Sequence, residues 1–156
     1  MSKEKAKAYL DKYNMGDRIQ EFDVSSATVK DAALALNCEE KRIAKTLSFL
    51  IDDKPILIVT AGDMKTSNSK YKGYFHTKAK MIPADMVIDL IGHPIGGVCP
   101  FGVNDGVEIY LDESLKRFET VFPACGEANN AIELTIDELE QVTNYKAWID
   151  VCDIKE

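Results

Sequence analysis

From position 92 to 103 the chain reads Gly92-His93-Pro94-Ile95-Gly96-Gly97-Val98-Cys99-Pro100-Phe101-Gly102-Val103, with four glycines and two prolines. Such a run is neither helix nor strand. Glycine admits positive φ and lets other groups come close to the main chain, while proline fixes φ on either side of the Gly96-Gly97 pair. The expected product is a stiff loop, poor in side chains, whose backbone N–H groups can face an anion or a carbonyl oxygen. It reads either as a tight connection or as a ligand cradle, with Phe101 supplying an apolar surface beside it.

A second chemical candidate is Lys45, at the head of the β-rich run 45–51. Alternation places Lys45, Leu47, Phe49 and Ile51 on one face and Thr46, Ser48 and Leu50 on the other. A lysine thus begins an otherwise apolar face. It is either a strand-end residue whose stem packs while its ammonium reaches water, or an ammonium at the mouth of an apolar pocket, able to bind a carbonyl or phosphate oxygen. An accessible lysine at its ordinary pKa is almost wholly protonated at neutral pH, which favours positioning and electrostatic roles over general-base work.

Other reactive side chains form no cluster. Cys38, Cys99, Cys125 and Cys152 are widely spaced without a Cys-x-x-Cys pair, so neither zinc nor a dithiol motif is expected, and the thiols read as reduced. His76 and His93 are too few and too distant for a local metal motif, and His93 reads as a loop residue. No metal or cofactor is called for. The formal charge of −7 argues against general nucleic-acid binding. Residues 65–80 nevertheless carry Lys65, Lys70, Lys72, Lys78 and Lys80 with Tyr71, Tyr74, Phe75 and His76 interleaved and no acid. That segment is either a solvated surface or a patch that meets a phosphate backbone, with Lys70 and Lys72 the candidate contacts.

The elements that must hold these residues follow from periodicity. Helices are expected at about 3–14 (stopped by Gly16), from a Thr28/Asp31 capping box to Asn37, near 67–73, at 83–91 with Pro83 in the first helical position, and from a Thr135/Glu138 capping box to about Asn144. Strands are expected at 18–22, 45–51 and 55–61 (a hairpin across Asp52-Asp53-Lys54), then at 107–111, 120–124, 131–134 and 147–151. Several strands follow one another without a crossover helix. The fold class is therefore α+β, a single domain over 1–156 with a mixed, mostly antiparallel twisted sheet and surrounding helices. At 46% apolar and 29% charged residues, with no apolar run approaching a membrane span of about 20, a soluble cytoplasmic protein is expected.

The order Ala44-Lys45-Thr46-Leu47, a hairpin ending Ala61-Gly62-Asp63, the glycine loop through Gly102, then Gly126-Glu127-Ala128-Asn129 and Ile132-Glu133-Leu134 resembles the YbaK/EbsC family, standalone relatives of the editing domain inserted in bacterial prolyl-tRNA synthetases. The resemblance runs from about Thr28 to Asp153. It implies a barrel-like sheet, an aminoacyl-tRNA deacylase that hydrolyses mischarged tRNA, and recognition of the acceptor end, with prolyl-tRNA synthetase as a partner. Such editing exists because one pocket discriminates poorly between small, similar side chains. By motif, Lys45 matches the functional lysine, and Gly96 and Gly97 match the loop around the aminoacyl group and terminal adenosine. Val98, Cys99, Pro100, Phe101 and Gly102 continue that loop. Asp63, Gly126 and Asn129 either line the pocket or serve turns. The family carries other small residues at the position of Cys99, so a nucleophilic cysteine is not implied. The branch that removes cysteine from tRNA(Pro) tends to carry an acid just before Ile-Glu-Leu, where this chain has Ala131. Alanine, serine and threonine therefore stand beside cysteine as substrates. A non-catalytic module binding tRNA ends or nucleotides, and hydrolysis of another small acyl ester, are the alternatives.

Overall fold

The computed structural model describes residues 2–23 and 28–155. Helix α1 (Ser2–Asp11) buries Ala6 and Leu10. It ends earlier than periodicity predicts, because the chain turns at Asn14, which takes φ 61°. Gly16 is not the stop. It lies in a 3-10 turn, and a Cβ there would meet Asp11 Oδ1 at 1.7 Å, so close approach selects glycine. Strand β1 (Gln20–Glu21) follows. Thr28 caps α2 (Val29–Leu36) by accepting the Asp31 N–H, and Asn37 closes it in the left-handed region.

Strands β2 (Ile43–Ile51) and β3 (Lys54–Ala61) form the expected hairpin, in register from Ala44 opposite Ala61 to Ile51 opposite Lys54. Asp52 and Asp53 take φ 50° and 66°, the geometry of a tight turn whose twist suits its flanking strands. Then come β4 (Met64–Thr66), α3 (Asn68–Phe75, capped by Ser67) and α4 (Val87–Ile91). Pro83 caps a 3-10 turn that precedes α4, rather than occupying its first helical position. The remaining elements are β5 (Glu108–Asp112), β6 (Thr120–Pro123), β7 (Asn130–Ala131), β8 (Leu134–Thr135), α5 (Ile136–Val142), β9 (Tyr145–Ile149) and β10 (Cys152–Ile154). The single strand expected at 131–134 is split between β7 and β8, which pair with β1 and β6 respectively.

The main sheet runs β8-β6-β2-β3-β5-β9 and curls into a half-barrel. It is mixed: β2–β6, β3–β5 and β5–β9 are parallel, β2–β3 and β6–β8 antiparallel. With β1–β7 and β4–β10 also antiparallel, antiparallel pairings hold a narrow majority among the described residues. Strand β3 lies at the centre, with Leu57, Val59 and Ala61 fully buried. Beside it Phe49, Tyr71, Phe75 and Tyr110 form a tilted and edge-on aromatic cluster. Asp112, 1% exposed, accepts the N–H groups of Ser114 and Val151 and the Thr60 hydroxyl, tying β5 to β3 and to the chain before β10. No helix among the described residues is long and apolar enough to cross a membrane.

One feature of β2 bears on the site. Its outer edge pairs with β6 only at Ile43 and Ala44. Further along, residues 80–82 take over: Leu50 N–H donates to Lys80 O at 2.8 Å, and Ile82 N–H to Ser48 O at 3.1 Å. Among the described residues no strand covers the edge at Thr46 between them.

The capping box at Thr135/Glu138 forms from both sides, and Arg18 adds a two-pronged contact to Glu138 at 2.6 and 3.0 Å. Arg18, together with the cap N–H groups, lowers the Glu138 carboxyl from 4.5 to about 2. A depressed acid contributes stability above its unfolded pKa and loses it as pH falls through the folded one. Urea unfolding of wild type should therefore weaken from about pH 5 to about pH 2 more steeply than that of Glu138→Gln. Equal acid slopes would show that the contact contributes nothing.

Candidate functional site

The bare stretch of β2 forms one wall of a cavity of about 350 Å³. Opposite it stand Gly96 and Val98 of the glycine loop, and α2 contributes Thr28, Val29 and Ala32. Ala124, Asn130 and Ala131 close one end, and Met81, Ile82 and Val87 the other. Many of these side chains are small, and the lining is mostly apolar. Ile95 and Met81 at its rim are exposed.

Lys45 and Gly96 line this cavity together, whereas Gly97 does not. The Lys45 ammonium is turned toward β4, where it donates to Met64 O. Its position refutes an ordinary accessible lysine: burial, and then the positive charge of Lys155, lower its pKa from 10.5 to about 8. Gly97 faces the other loop instead. A Cβ on it would lie 2.4 Å from the carbonyl carbon and oxygen of Gly126. Gly126 (φ 95°) in turn abuts Ser2 O of α1, and Gly102 (φ 71°) abuts Lys5 O.

The rest of the loop faces inward. Cys99 and Phe101 are fully buried, and Phe101 packs near Tyr9 with ring centroids 6.3 Å apart. Pro100 and Gly102 border a separate groove beside α1. Burial pushes the Cys99 thiol up to about 12 and raises Cys125 well above the usual thiol range, so neither is a ready nucleophile. His93 is fully buried. Its Nδ1 accepts from the Ser2 hydroxyl at 2.5 Å, and its Nε2–H donates to Phe101 O at 2.6 Å. It fastens the loop to α1.

Asp63 belongs to an ion pair rather than to the cavity wall. Arg117 grips it at 2.6 and 3.1 Å and holds its carboxyl below the usual range. Asn129 accepts the Phe22 N–H through its main-chain oxygen and does not line the cavity either. Lys70 is bound to Asp150 at 3.1 Å, Asp153 at 2.9 Å and Cys152 O at 3.1 Å, so its charge is already balanced. Lys72 is exposed, with no such partner among the described residues.

Sequence reasoning missed the lining residues Ala32, Ala44, Thr46, Ala124 and Asn130. Asn130 alone signals its role chemically: it is buried, and its amide both accepts from Cys125 N–H at 3.0 Å and donates to Cys125 O at 3.1 Å, stapling the 125–130 loop.

The profile of the aminoacyl-tRNA editing domain matches residues 23–142. The Bacillus subtilis protein YwhH, itself uncharacterised, is 49% identical over 97% of this chain and 98% of its own length. The proline–tRNA ligase of the same organism is 24% identical over 66% of this chain, a match that spans only 18% of the ligase. A solved structure described as a candidate trans-editing enzyme for prolyl-tRNA synthetase superposes with a TM-score of 0.87 at 27% identity, covering 97% of both chains.

The back-to-back glycines make a direct prediction. Gly97→Ala should destabilise the protein by about 1–3 kcal/mol, because main chain must move to admit the methyl group. Gly106→Ala, where a Cβ meets nothing but φ is 88°, should lose only about 1–2 kcal/mol of stability, to backbone strain. Denaturant melts of both variants decide it. If Gly97→Ala matched wild type, the loops would not be in contact.

Proposed function

Because the chain belongs to the aminoacyl-tRNA editing domain family, we propose that it is a deacylase, hydrolysing the ester that joins a small, wrongly attached amino acid to its tRNA. The observation that carries this reading is the cavity of about 350 Å³, which puts Lys45 and Gly96 around one space walled by Ala32, Ala44, Ala124 and Ala131. The finite volume between these walls sets an upper limit on the side chain that enters, the discrimination that a second sieve needs. The substrates are alanine, serine, threonine or cysteine on tRNA(Pro), delivered by its acceptor end, with prolyl-tRNA synthetase as the partner that releases it.

Attack on the ester places negative charge on the carbonyl oxygen, and loop N–H groups or an ammonium aimed there lower the barrier. Lys45 supplies the ammonium by rotating its four-carbon stem away from Met64 O. With a pKa of about 8 it still holds its proton at neutral pH, so the electrostatic role stands despite the depressed value. Water or the substrate's own side chain is the nucleophile. Gly97, Cys99, Phe101, Gly102 and Gly126 act here by holding the loop rather than by touching substrate. On the tRNA backbone Lys72 contributes more than Lys70. One observation favours the alternative of a binding module without catalysis: the Lys45 ammonium is occupied by Met64 O.

A panel of tRNA(Pro) charged separately with alanine, serine, threonine, cysteine and proline separates the two. Release of at least one small amino acid is expected, and none released means a binding module. On the best substrate Lys45→Ala should lower kcat by about 10²–10³-fold, the scale of losing one oxyanion donor. Its melting temperature should hardly change. Full activity in Lys45→Ala would remove the lysine from the mechanism.

The pH profile gives a separate check. A cationic Lys45 makes kcat/KM fall as pH rises through about 8, and Lys45→Arg should shift that limb upward. A rate that climbs through pH 8 would assign the neutral amine as a base instead.

A further inference from the structure

The interrupted edge of β2 is a site in its own right. Ser48 gives its carbonyl to Ile82 and Leu50 its N–H to Lys80, so even-numbered residues of β2 turn their main chain outward. Thr46 has the same parity, and its N–H and C=O therefore face the cavity, where no strand among the described residues meets them. Its hydroxyl is shut from solvent and has no partner among the described residues either. A buried hydroxyl without a partner is unusual, because buried polar groups are nearly always bonded, and here it sits beside main-chain groups that no strand among the described residues pairs.

We infer that Thr46 is the receptor for the main chain of the aminoacyl group, an inference that rests on the deacylase reading. In a hydrogen-bonded antiparallel pair, two residues exchange both N–H···O=C bonds. An aminoacyl ester offers one such set: an α-ammonium that donates and an ester carbonyl that accepts. Laid against Thr46, its ammonium bonds to Thr46 O and its carbonyl accepts Thr46 N–H. The gap fits a single residue. Toward one end β6 occupies the edge at Ala44, and toward the other Ile82 occupies it at Ser48, so a peptide has no room to extend. The strand edge thus reads what every amino acid shares, while Gly96, Ala124 and Ala131 gauge the side chain. It also puts an N–H donor on the oxygen that becomes negative during hydrolysis.

The test uses 3′-alanylamino-3′-deoxyadenosine, whose amide resists hydrolysis, titrated into ¹⁵N-labelled full-length protein. Amide exchange at Thr46 should slow by about tenfold or more, and the N-acetylated analogue, lacking the ammonium, should bind about tenfold more weakly. If the analogue perturbs the Gly96 and Val98 amides while exchange at Thr46 stays the same, the strand-edge receptor is overturned and the deacylase reading survives. Equal affinity for the acetylated analogue overturns the ammonium contact. No perturbation at any cavity amide, together with no release across the tRNA panel, overturns both.

Discussion

Close approach of main chain to main chain is the constraint on which the site depends. Gly97 lies against Gly126, Gly126 against Ser2, and Gly102 against Lys5. At each of these points a methyl group would stand within van der Waals contact of backbone, which cannot yield as a flexible side chain can. Three positions in two loops and one helix are thereby locked in register. The neighbour of Gly97, Gly96, is what this arrangement presents to the cavity. His93 adds a polar rivet between the same helix and the same loop. The glycines thus divide their labour: one faces the ligand space, and the others make the stack behind it.

Electrostatics at the site follow from the strand rather than from the loop. Lys45 is half-buried because β2 carries it between the sheet and the β4–β10 pair, and its neighbours include a second lysine as well as Asp63 and Cys152. Asp63 is itself engaged by Arg117. Among the described residues the lysine therefore lacks a dedicated carboxylate, which would have pinned its charge and raised its pKa. A cation without a fixed counter-ion, next to a cavity, is available to an incoming anionic centre. The basic surface segment differs in this respect, since Lys70 is already matched by two aspartates from the C-terminal strand region.

Much of this architecture is legible in the amino-acid order, and the lapses have physical causes. The β2–β3 hairpin and the Thr135/Glu138 box follow from alternation and capping chemistry; the grouping of Lys45 with the glycine pair comes from the family resemblance, and of that pair only Gly96 shares the cavity with Lys45. Helix α1 ends at Asp11 rather than near 14 because a left-handed asparagine, not the glycine, turns the chain. The run 131–134 looks like one strand by composition, but tertiary pairing divides it between two sheets. Alternation assigns the chemistry of β2 to the Lys45 face. The cavity draws on the strand's edge as well, and an edge depends on which neighbours stop short of it, something no local pattern records. Asp63 carries no sign in its sequence context that Arg117, 54 residues away, will claim it.

The stack behind the loop has a consequence for how the chain reaches its native form. Helix α1 makes its contacts with residues 91 positions later, as at Ser2 and His93, and farther still at Gly126. During synthesis it leaves the ribosome long before either partner exists, and a ten-residue helix without tertiary contacts is marginal in water. Closing such long loops is entropically slow, so the segment must stay undocked and conformationally averaged while the sheet assembles. The cavity loop is accordingly expected to acquire its final shape only when helix α1 returns to it.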